Sequence, residues 1–365
     1  MPDAKLKSRP IQAQIDLSKL EQNLSVVRRY APNARIMAVI KANAYGHGLL
    51  HAAKALQNAD GFAISELDAA IRLRNAGFHH PILLLEGFIS TEELAQFKKY
   101  QLSAVIHHKM QVEMILASQH KGLDVFIKLN TGMNRLGFAP EEFPYALQSL
   151  TTSPAINRIT LMTHFADADD PTGGGEVNKQ LQCFNTLTAG FSQPRSLANS
   201  AAIIRYPQAH HDWVRPGIML YGASPLTEKT AAELGLQPVM TVSSKLIATQ
   251  NIKTGDRVGY GGLFQATHPM RIGIVACGYA DGYPRHAPTG TPVLVNGQQS
   301  HTIGRISMDM LAVDLSHIEN SEINCPVVLW GKGQPVDEIA HSAGTVSYEL
   351  LCALAPRVKK KFSDT

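Results

Sequence analysis

Lys41 stands directly behind an apolar run, in the segment AVIKANAYGHG that spans residues 38–48. A lysine at the end of a buried strand can bind phosphate as a point charge, pair with a buried acid, or act as an amine nucleophile. No acidic residue lies close to Lys41 in the local sequence, which argues against an ion pair with a near neighbour. The pattern therefore favours a lysine that forms a Schiff base.

Polar side chains follow several other predicted strands, and each one taken alone is an ordinary hydrogen-bonded loop residue. They are Lys128, Asn130, Arg135, His164, Asn199, Ser200 and Arg215. If the strands form a barrel, their carboxyl ends meet at one mouth, and the loops after strands seven and eight commonly bind phosphate. Those loops carry Ser200 and Gly217. Pyridoxal 5'-phosphate (PLP) needs such a lysine, a phosphate cradle and a partner for its pyridine nitrogen, so it is the cofactor that this set favours.

The elements that would position these residues alternate between short apolar runs and helical periodicity from residue 35 to about residue 222. The first apolar run predicts a strand over residues 35–42, and eight such runs follow one another along the segment. They are rich in Val, Ile and Leu, as strands covered on both faces are. No GxGxxG motif opens a helix, so the pattern favours a compact (β/α)8 TIM-like barrel over a doubly wound sheet.

After about residue 235, strand-like runs are joined by turns rich in Gly, Asn, Asp and Pro, which predicts a mainly β domain. The N-terminal IQAQIDLS alternates with period two and is predicted to pack with that domain. We therefore expect an α/β fold in three parts: residues 1–17 as this N-terminal strand, 18–234 as the cofactor-binding barrel, and 235–365 as the β-rich domain. The basic segment RVKKKF at residues 357–362 is interpreted as a solvated terminal tail.

Composition excludes several other classes of function. The net charge of +4 is small and scattered, which argues against nucleic acid as a partner. No stretch approaches the roughly 18 apolar residues of a membrane span, and the polar N-terminus lacks a signal-peptide core, so we expect a cytoplasmic protein. The four cysteines lie far apart and are expected to be reduced thiols. Among the fifteen histidines, His47 and His51 have helical i, i+4 spacing, but no HExxH glutamate and no third ligand accompanies them, so no metal site is expected.

The segment AVIKANAYGHG resembles the cofactor-lysine signature of the alanine racemase family. The resemblance extends through the chain in seven further motifs, in the order expected of that family. They are KLNTGMNRLGF, THFADAD, ANSAA, VRPGIMLYG, GYADGYPR, GRISMDM and TVSYELLCALAPRV. Because these motifs occur in both predicted domains, the resemblance covers the whole architecture.

The resemblance implies roles for individual residues. Lys41 would bind PLP and act as one acid/base, and Tyr279, reaching in from the partner subunit, would act as the other. Arg135 would bind the substrate carboxylate with Met308 from the partner, and a carbamylated Lys128 would fix Arg135. The implied cofactor-binding residues are Lys41, Tyr45, His164, Asn199, Ser200, Arg215, Gly217, Ile218 and Tyr348. Among these, Arg215 would donate to the pyridine nitrogen, and His164 would hydrogen-bond to Tyr279.

Two positions depart from the family pattern. Some members have a histidine three residues before the Asn-Ser pair, where it supports the pyridine arginine, whereas this chain has Ser196. Some have Cys-Met-Asp where this chain has Ser307-Met308-Asp309. Neither departure involves the two implied bases.

The implied function is that of a homodimeric, PLP-dependent racemase with composite active sites. It would interconvert L-alanine and D-alanine by two-base proton transfer and supply D-alanine for cell-wall peptidoglycan. One alternative is a basic-amino-acid decarboxylase of the same architecture, which would be expected to place a carboxylate, not Arg215, at the pyridine nitrogen. The other is a non-catalytic PLP-binding protein built on the barrel alone. The β-rich domain that carries GYADGYPR argues against this second alternative.

Overall fold

The computed structural model describes residues 9–363, so part of the predicted segment 1–17 and the last two residues of 235–365 lie outside the described residues. The described chain divides into two compact units. The barrel unit is Leu20–Leu236, and the β unit contains residues 9–19 together with residues 237–363. Both ends of the described chain therefore belong to the β unit.

Strands and helices alternate through the barrel unit, whereas strands dominate the β unit. The strands are β1 (Gln12–Asp16), β2 (Arg35–Val39), β3 (Gly61–Ile64), β4 (Ile82–Leu84), β5 (Ser103–Ile106), β6 (Leu123–Lys128), β7 (Ile156–Met162), β8 (Arg195–Asn199), β9 (Trp213–Arg215), β10 (Met240–Ile252), β11 (Arg257–Val258), β12 (Phe264–Gln265), β13 (Met270–Val275), β14 (Pro292–Val295), β15 (Gln298–Ile303), β16 (Leu311–Asp314), β17 (Pro326–Trp330) and β18 (Lys359–Ser363).

The helical segments include several single turns. In chain order the helical segments are α1 (Leu17–Tyr30), α2 (Lys41–Tyr45, in which residues 42–45 have left-handed backbone), α3 (Leu49–Ala55), α4 (Leu67–Asn75), α5 (Thr91–Lys99), α6 (Lys109–Ala117), α7 (Phe143–Thr151), α8 (Gly174–Leu187), α9 (Ser200–Arg205), α10 (Val336–Ser342) and α11 (Ser347–Cys352). Short 3₁₀ helices lie at Pro207–Ala209, Ile218–Tyr221, Tyr260–Gly262 and Tyr279–Asp281. Across residues 9–363, none of the helices is both long and apolar enough to cross a bilayer.

Strands β2 to β9 form a closed parallel barrel. The barrel closes where β9 pairs with β2, with Trp213 opposite Arg35 and Val214 opposite Ile36. The middle strands are buried along their length, and all four residues of β3 and of β5 are buried. Burial on both faces explains why these strands are continuous apolar runs without a polar alternation. The predicted (β/α)8 barrel is confirmed.

The β unit is built on a sheet in the order β13-β16-β15-β14-β17-β10-β1-β18, with β13 also paired to β10. The 13-residue β10 joins its two parts, because one end pairs with β1 and β17 and the other with β13. A core cluster that includes Val258, Ile272 and Ile303 lies in this unit. The predicted C-terminal mainly-β architecture is confirmed, with α10 and α11 added near its end.

The strand β1 belongs to the sheet of the β unit. Ala13 and Ile15 are buried in it while Gln14 is exposed, which is the period-two pattern of a strand covered on one face. It pairs antiparallel with β10 and parallel with β18. The chain therefore supplies one strand of this sheet from before the barrel.

The interpretation of residues 357–362 as a solvated tail is wrong. Lys359–Ser363 form β18, which pairs in parallel with β1 from Gln12 opposite Lys359 onward. The pairing uses backbone groups, so the basic side chains do not prevent it, and lysines are common on edge strands because they discourage further pairing. Local sequence shows the charge but not the distant partner strand.

Candidate active site

Lys41 follows β2 at the carboxyl end of the barrel, where the site was predicted. The strand ends at Val39, earlier than the predicted 35–42, because residues 42–45 take left-handed φ values of 51°, 54°, 55° and 49°. Left-handed backbone costs an L-residue roughly 1–2 kcal/mol. Such strain persists only where the surroundings impose the conformation, and it clusters at functional sites.

Aromatic packing holds this left-handed turn in place. The ring of Tyr45 stacks on that of Tyr221 with centroids 4.6 Å apart, and the Tyr221 hydroxyl donates a 2.9 Å hydrogen bond to the Val39 carbonyl. His47 is fully buried, and its Nδ1 lies 3.0 Å from the Ala44 carbonyl and 2.9 Å from that of Tyr45. Two carbonyl acceptors require that Nδ1 carry the proton. The turn is therefore fixed to the end of β2, with Lys41 partly exposed above it.

Ser200 and Gly217, which follow strands β8 and β9, lie together. The backbone N–H of Gly217 donates a 2.8 Å hydrogen bond to Ser200 Oγ. A Cβ at position 217 would lie 2.7 Å from the Tyr45 hydroxyl, so only glycine leaves room for that hydroxyl here. Asn199 caps α9 by accepting from the Ala202 N–H at 3.0 Å. Two hydroxyls and a backbone N–H thus form a small polar cradle.

Arg215 is buried at the end of β9 and is held from several sides. Its Nη2 donates to the carbonyls of Thr163 at 2.8 Å and Leu197 at 3.1 Å, and its Nη1 donates to Ser196 Oγ at 2.7 Å. Burial lowers the pKa of Arg215 to about 9, so it stays a cation at neutral pH. The guanidinium therefore has a fixed orientation.

His164 lies beside this guanidinium, with its Nδ1 3.2 Å from Arg215 Nη2. Burial, and after it the charge of Arg215, hold the pKa of His164 well below its ordinary value. The ring is therefore neutral, its Nδ1 accepts from Arg215, and its proton lies on Nε2. This leaves Nε2 as a donor for a further partner.

Lys128 ends β6 in a strongly cationic setting. Burial first, and then the charges of Arg215, Arg135 and Lys41, lower its pKa to about 8, while Glu86 opposes the shift. The same three cations and Lys128 also lower the pKa of His164. The structure thus brings Lys41, Lys128, Arg135 and Arg215 to one mouth, although Arg135 itself is on an exposed loop.

Two further side chains orient this cluster, and sequence reasoning assigned neither of them this role. Ser196 accepts from Arg215 and donates to the Trp213 carbonyl at 3.3 Å. Gln180 on α8 is buried, and its Nε2 donates to Thr131 Oγ1 at 3.2 Å and to the His164 carbonyl at 3.1 Å. Position 196 was noted as a departure from the family pattern, without its hydrogen bond. Gln180 lies on the same helical stripe as Val177, Leu181 and Phe184, so its spacing on α8 was a signal that could have indicated its burial.

Three predicted site residues lie in the β unit. Tyr279 begins the 3₁₀ turn Tyr279–Asp281, and its backbone N–H donates to the Ser307 carbonyl at 3.0 Å, which places it next to the turn that carries Met308. Tyr348 lies on α11. The residues Tyr279, Met308 and Tyr348 are 37%, 52% and 40% exposed. Tyr279 and Met308 are therefore exposed residues on neighbouring turns.

Barrels of this kind carry their active sites at the carboxyl ends of their strands, and here that end holds an amine, the fixed guanidinium group of Arg215 and a hydroxyl cradle. No group of three His, Cys, Asp or Glu side chains that could hold a metal occurs within residues 9–363. The fold and the site together define a two-domain (β/α)8-barrel enzyme.

The comparisons with known proteins identify the family. The family "Alanine racemase, N-terminal domain" matches residues 15–225, and "Alanine racemase, C-terminal domain" matches residues 239–362. The chain belongs to the alanine racemase family. It is 62% identical to an alanine racemase of Nitrosospira multiformis, over 97% of this chain and 99% of that protein. It is 52% identical to a catabolic alanine racemase of Salmonella typhimurium, over 96% and 98% of the two chains.

Solved structures agree with this assignment. The crystal structure of a biosynthetic alanine racemase from Pseudomonas aeruginosa matches with a TM-score of 0.95 at 45% identity, over 97% of this chain and 99% of that one. The alanine racemase of Acinetobacter baumannii matches with a TM-score of 0.93 at 38% identity, over 97% and 100%. The similarity therefore extends across both units.

Proposed function

We propose that this protein is a PLP-dependent enzyme that interconverts L-alanine and D-alanine. The observation that carries the proposal is the convergence of Lys41, Lys128, Arg135 and Arg215 at the barrel mouth, beside the neutral ring of His164. A cofactor with a phosphate and a substrate with a carboxylate both require cations there. The names of the similar proteins support the same activity.

The residues of the mouth fit PLP. The Tyr45 and Ser200 hydroxyls and the backbone N–H groups of Gly217 and Ile218 would hold the phosphate, and a side chain at position 217 would fill that cradle. Asn199 supports it as the cap of the helix that Ser200 begins. Lys41 would hold the cofactor covalently through Nζ. Tyr348 of the β unit stays a predicted phosphate contact.

Arg215 would face the pyridine nitrogen. Its guanidinium is a cation with several hydrogen bonds to fixed acceptors, so it is a donor that cannot readily give up its proton. A decarboxylase of this architecture would be expected to carry a carboxylate at this position. Arg215 therefore supports the racemase over that alternative.

When bound, PLP would withdraw electrons from the substrate Cα and so make its proton easier to remove. Racemisation removes this proton from one face of Cα and returns it on the other, so it needs two proton carriers on opposite faces. Lys41 Nζ would serve D-alanine, and the Tyr279 hydroxyl of a partner subunit would serve L-alanine. His164, with its proton on Nε2, would hydrogen-bond to that hydroxyl. This arrangement requires a homodimer with composite active sites.

The substrate carboxylate would be bound by Arg135 together with Met308 from the partner. Arg135 lies among like charges, which would displace it from a fixed position. Carbamylation would turn Lys128 from a cation into an anion and give Arg135 a charge-assisted hydrogen bond. The lowered pKa of Lys128 supports this step, because CO₂ reacts with the neutral amine.

We further propose that the enzyme acts in the cytoplasm and supplies D-alanine for peptidoglycan. One similar protein is named a biosynthetic and another a catabolic alanine racemase. Deleting the gene in its own organism separates the two roles. Loss of a biosynthetic enzyme should create a requirement for D-alanine, whereas loss of a catabolic enzyme should only impair growth on alanine.

The activity is tested with purified protein. We expect the visible absorption of lysine-bound PLP and, in an assay coupled to D-amino-acid oxidase, formation of D-alanine from L-alanine. Bound PLP without D-alanine would identify a non-catalytic PLP-binding protein. Release of CO₂ from lysine or ornithine without racemisation would identify a decarboxylase.

A further inference from the structure

Asp281 is a buried carboxylate in the β unit, two residues after Tyr279. It is 1% exposed, and a carboxylate in such a place needs both charge partners and hydrogen bonds. None of the roles proposed above uses it.

Both oxygens of this carboxylate are occupied. Arg357 Nε donates to Oδ1 at 2.8 Å, and Arg9 Nη2 donates to Oδ2 at 2.9 Å. The backbone N–H of Gly278 also donates to Oδ2, at 3.0 Å. Arg9 and Arg357, which are 348 positions apart in the sequence, therefore both bind the turn that carries Tyr279.

The same two arginines reach the neighbouring turn at Asp309. Arg9 Nη2 donates to the Asp309 carbonyl at 2.8 Å, and Arg357 Nη2 donates to its carboxylate at 2.6 Å. Hydrogen bonds to Asp309 and then to Asp281 raise the pKa of Arg357. Two cations and two carboxylates thus bridge the Tyr279 turn and the Met308 turn.

The backbones of the two turns are also in direct contact. The N–H groups of Tyr279 and Ala280 donate to the carbonyls of Ser307 and Met308, both at 3.0 Å. A Cβ on Gly278 would lie 2.3 Å from the Ser307 oxygen and 2.4 Å from that of Met308, so only glycine permits this approach. A displacement of either turn would therefore move both predicted contributions to the partner's site.

We propose that Asp281, held by Arg9 and Arg357, is a positioning residue that fixes the Tyr279 hydroxyl relative to Met308. A buried ion pair is weak support for stability, because desolvation offsets much of the attraction. It does impose a fixed geometry, and a misplacement of about 1 Å can cost about 100-fold in rate. The proposal rests on the assignment of Tyr279 as the L-specific base.

The test replaces Asp281 by asparagine, which keeps the shape and one acceptor oxygen but removes the charge. Net racemisation cannot reveal a one-sided defect, because the enantiomers have equal free energy and kcat/KM must fall equally in both directions. Exchange of the Cα proton in D₂O, followed by NMR for each enantiomer, separates the two bases. With the PLP-loaded dimer of Asp281→Asn, we expect exchange into L-alanine to fall about 10- to 100-fold. Exchange into D-alanine, by Lys41, should stay near that of the wild type.

Arg357→Ala tests the same point without altering Asp281, and it decides the question if Asp281→Asn does not fold. The Arg357 side chain is 39% exposed, so added guanidinium can reach the space that it leaves. We expect low concentrations of guanidinium chloride, but not of sodium chloride, to restore exchange into L-alanine. Glu322→Gln is the control, because it removes another ion pair of the β unit, with Arg271 at 3.3 Å. It should leave the ratio of the two exchange rates unchanged.

Tyr279→Phe, measured in parallel, distinguishes a failure of the positioning role from a failure of the proposed function. If it lowers exchange into L-alanine selectively but Asp281→Asn and Arg357→Ala lower both rates equally, or lower only Tm, the positioning role is wrong and the proposed function stands. If Tyr279→Phe shows no selectivity, the assignment of the base is wrong and the positioning role falls with it.

Discussion

Replacing Lys128 by alanine tests the electrostatics of the barrel mouth. The side chain is 6% exposed, and its pKa falls from 10.5 to about 8 through burial and the neighbouring cations. At about 1.4 kcal/mol per pKa unit, an unmodified ammonium costs the folded protein on the order of 3 kcal/mol. Because the pKa is lower in the folded than in the unfolded chain, this cost is full below pH 8 and disappears as the pH rises toward 10.5.

A carbamate on Lys128 would remove this cost and would give Arg135 a charge-assisted hydrogen bond. Lys128→Ala should therefore lower kcat/KM about 10- to 100-fold, which corresponds to about 1.5–3 kcal/mol for a hydrogen bond to a charged group. The assay is D-alanine formation coupled to D-amino-acid oxidase, with and without acetate or propionate. The small carboxylate should restore part of the activity with a saturating dependence on its concentration. The control is Lys179→Ala, which removes an exposed lysine. It should keep the kcat/KM of the wild type, and acetate or propionate should not alter that value.

Two further measurements can refute this reasoning. Wild-type protein equilibrated with ¹³C-bicarbonate should show a carbamate carbon by NMR that is absent from Lys128→Ala. In CO₂-free buffer the protein should gain stability between pH 8 and 10.5, and bicarbonate should abolish that gain. A Lys128→Ala variant that is active and more stable than the wild type would mean that Lys128 is an unmodified ammonium. Equal rescue by chloride would mean that any anion suffices.

Three further substitutions test the remaining roles. Lys41→Ala should abolish borohydride-reducible attachment of PLP to the chain, and any remaining adduct in a peptide map would assign another lysine. Tyr279→Phe should keep fold and cofactor binding but lose racemisation, and mixing it with Lys41→Ala should restore part of the activity, since one site of a mixed dimer carries neither defect. Absence of recovery after proven subunit exchange would contradict a shared site. Ser196→Ala leaves Arg215 Nη1 without its 2.7 Å acceptor, so thermal unfolding should show a loss of about 1–3 kcal/mol that Ser196→Thr avoids.

Much of the fold was predictable because its signals are local. The apolar runs of the barrel strands and the helical periods between them are visible within short stretches of sequence. A strand that is buried on both faces must consist almost entirely of apolar residues. Lys41 stood out for the same reason, since a lysine directly behind such a run has few ordinary explanations. The motifs around it and in the β unit were sufficient to indicate the family.

The left-handed turn was not predictable from local sequence. Residues 42–45 are Ala, Asn, Ala and Tyr, and of these only Asn adopts positive φ with any frequency. The conformation is imposed by contacts with Tyr221, far along the chain. The predicted strand over 35–42 was too long because propensity favoured extended backbone and tertiary packing overrode it.

The types of residue at the strand ends, the order of the elements and the family can all be read from the sequence. Which groups contact one another follows only from the folded structure. In it, Ser196 accepts a hydrogen bond from Arg215, and the basic segment that was interpreted as a tail forms β18. Arg9 and Arg357 both pair with Asp281. The physical reason is that a side chain's partners, and with them its charge state, depend on residues that may be adjacent in space while hundreds of positions apart. No window of sequence contains both members of such a pair.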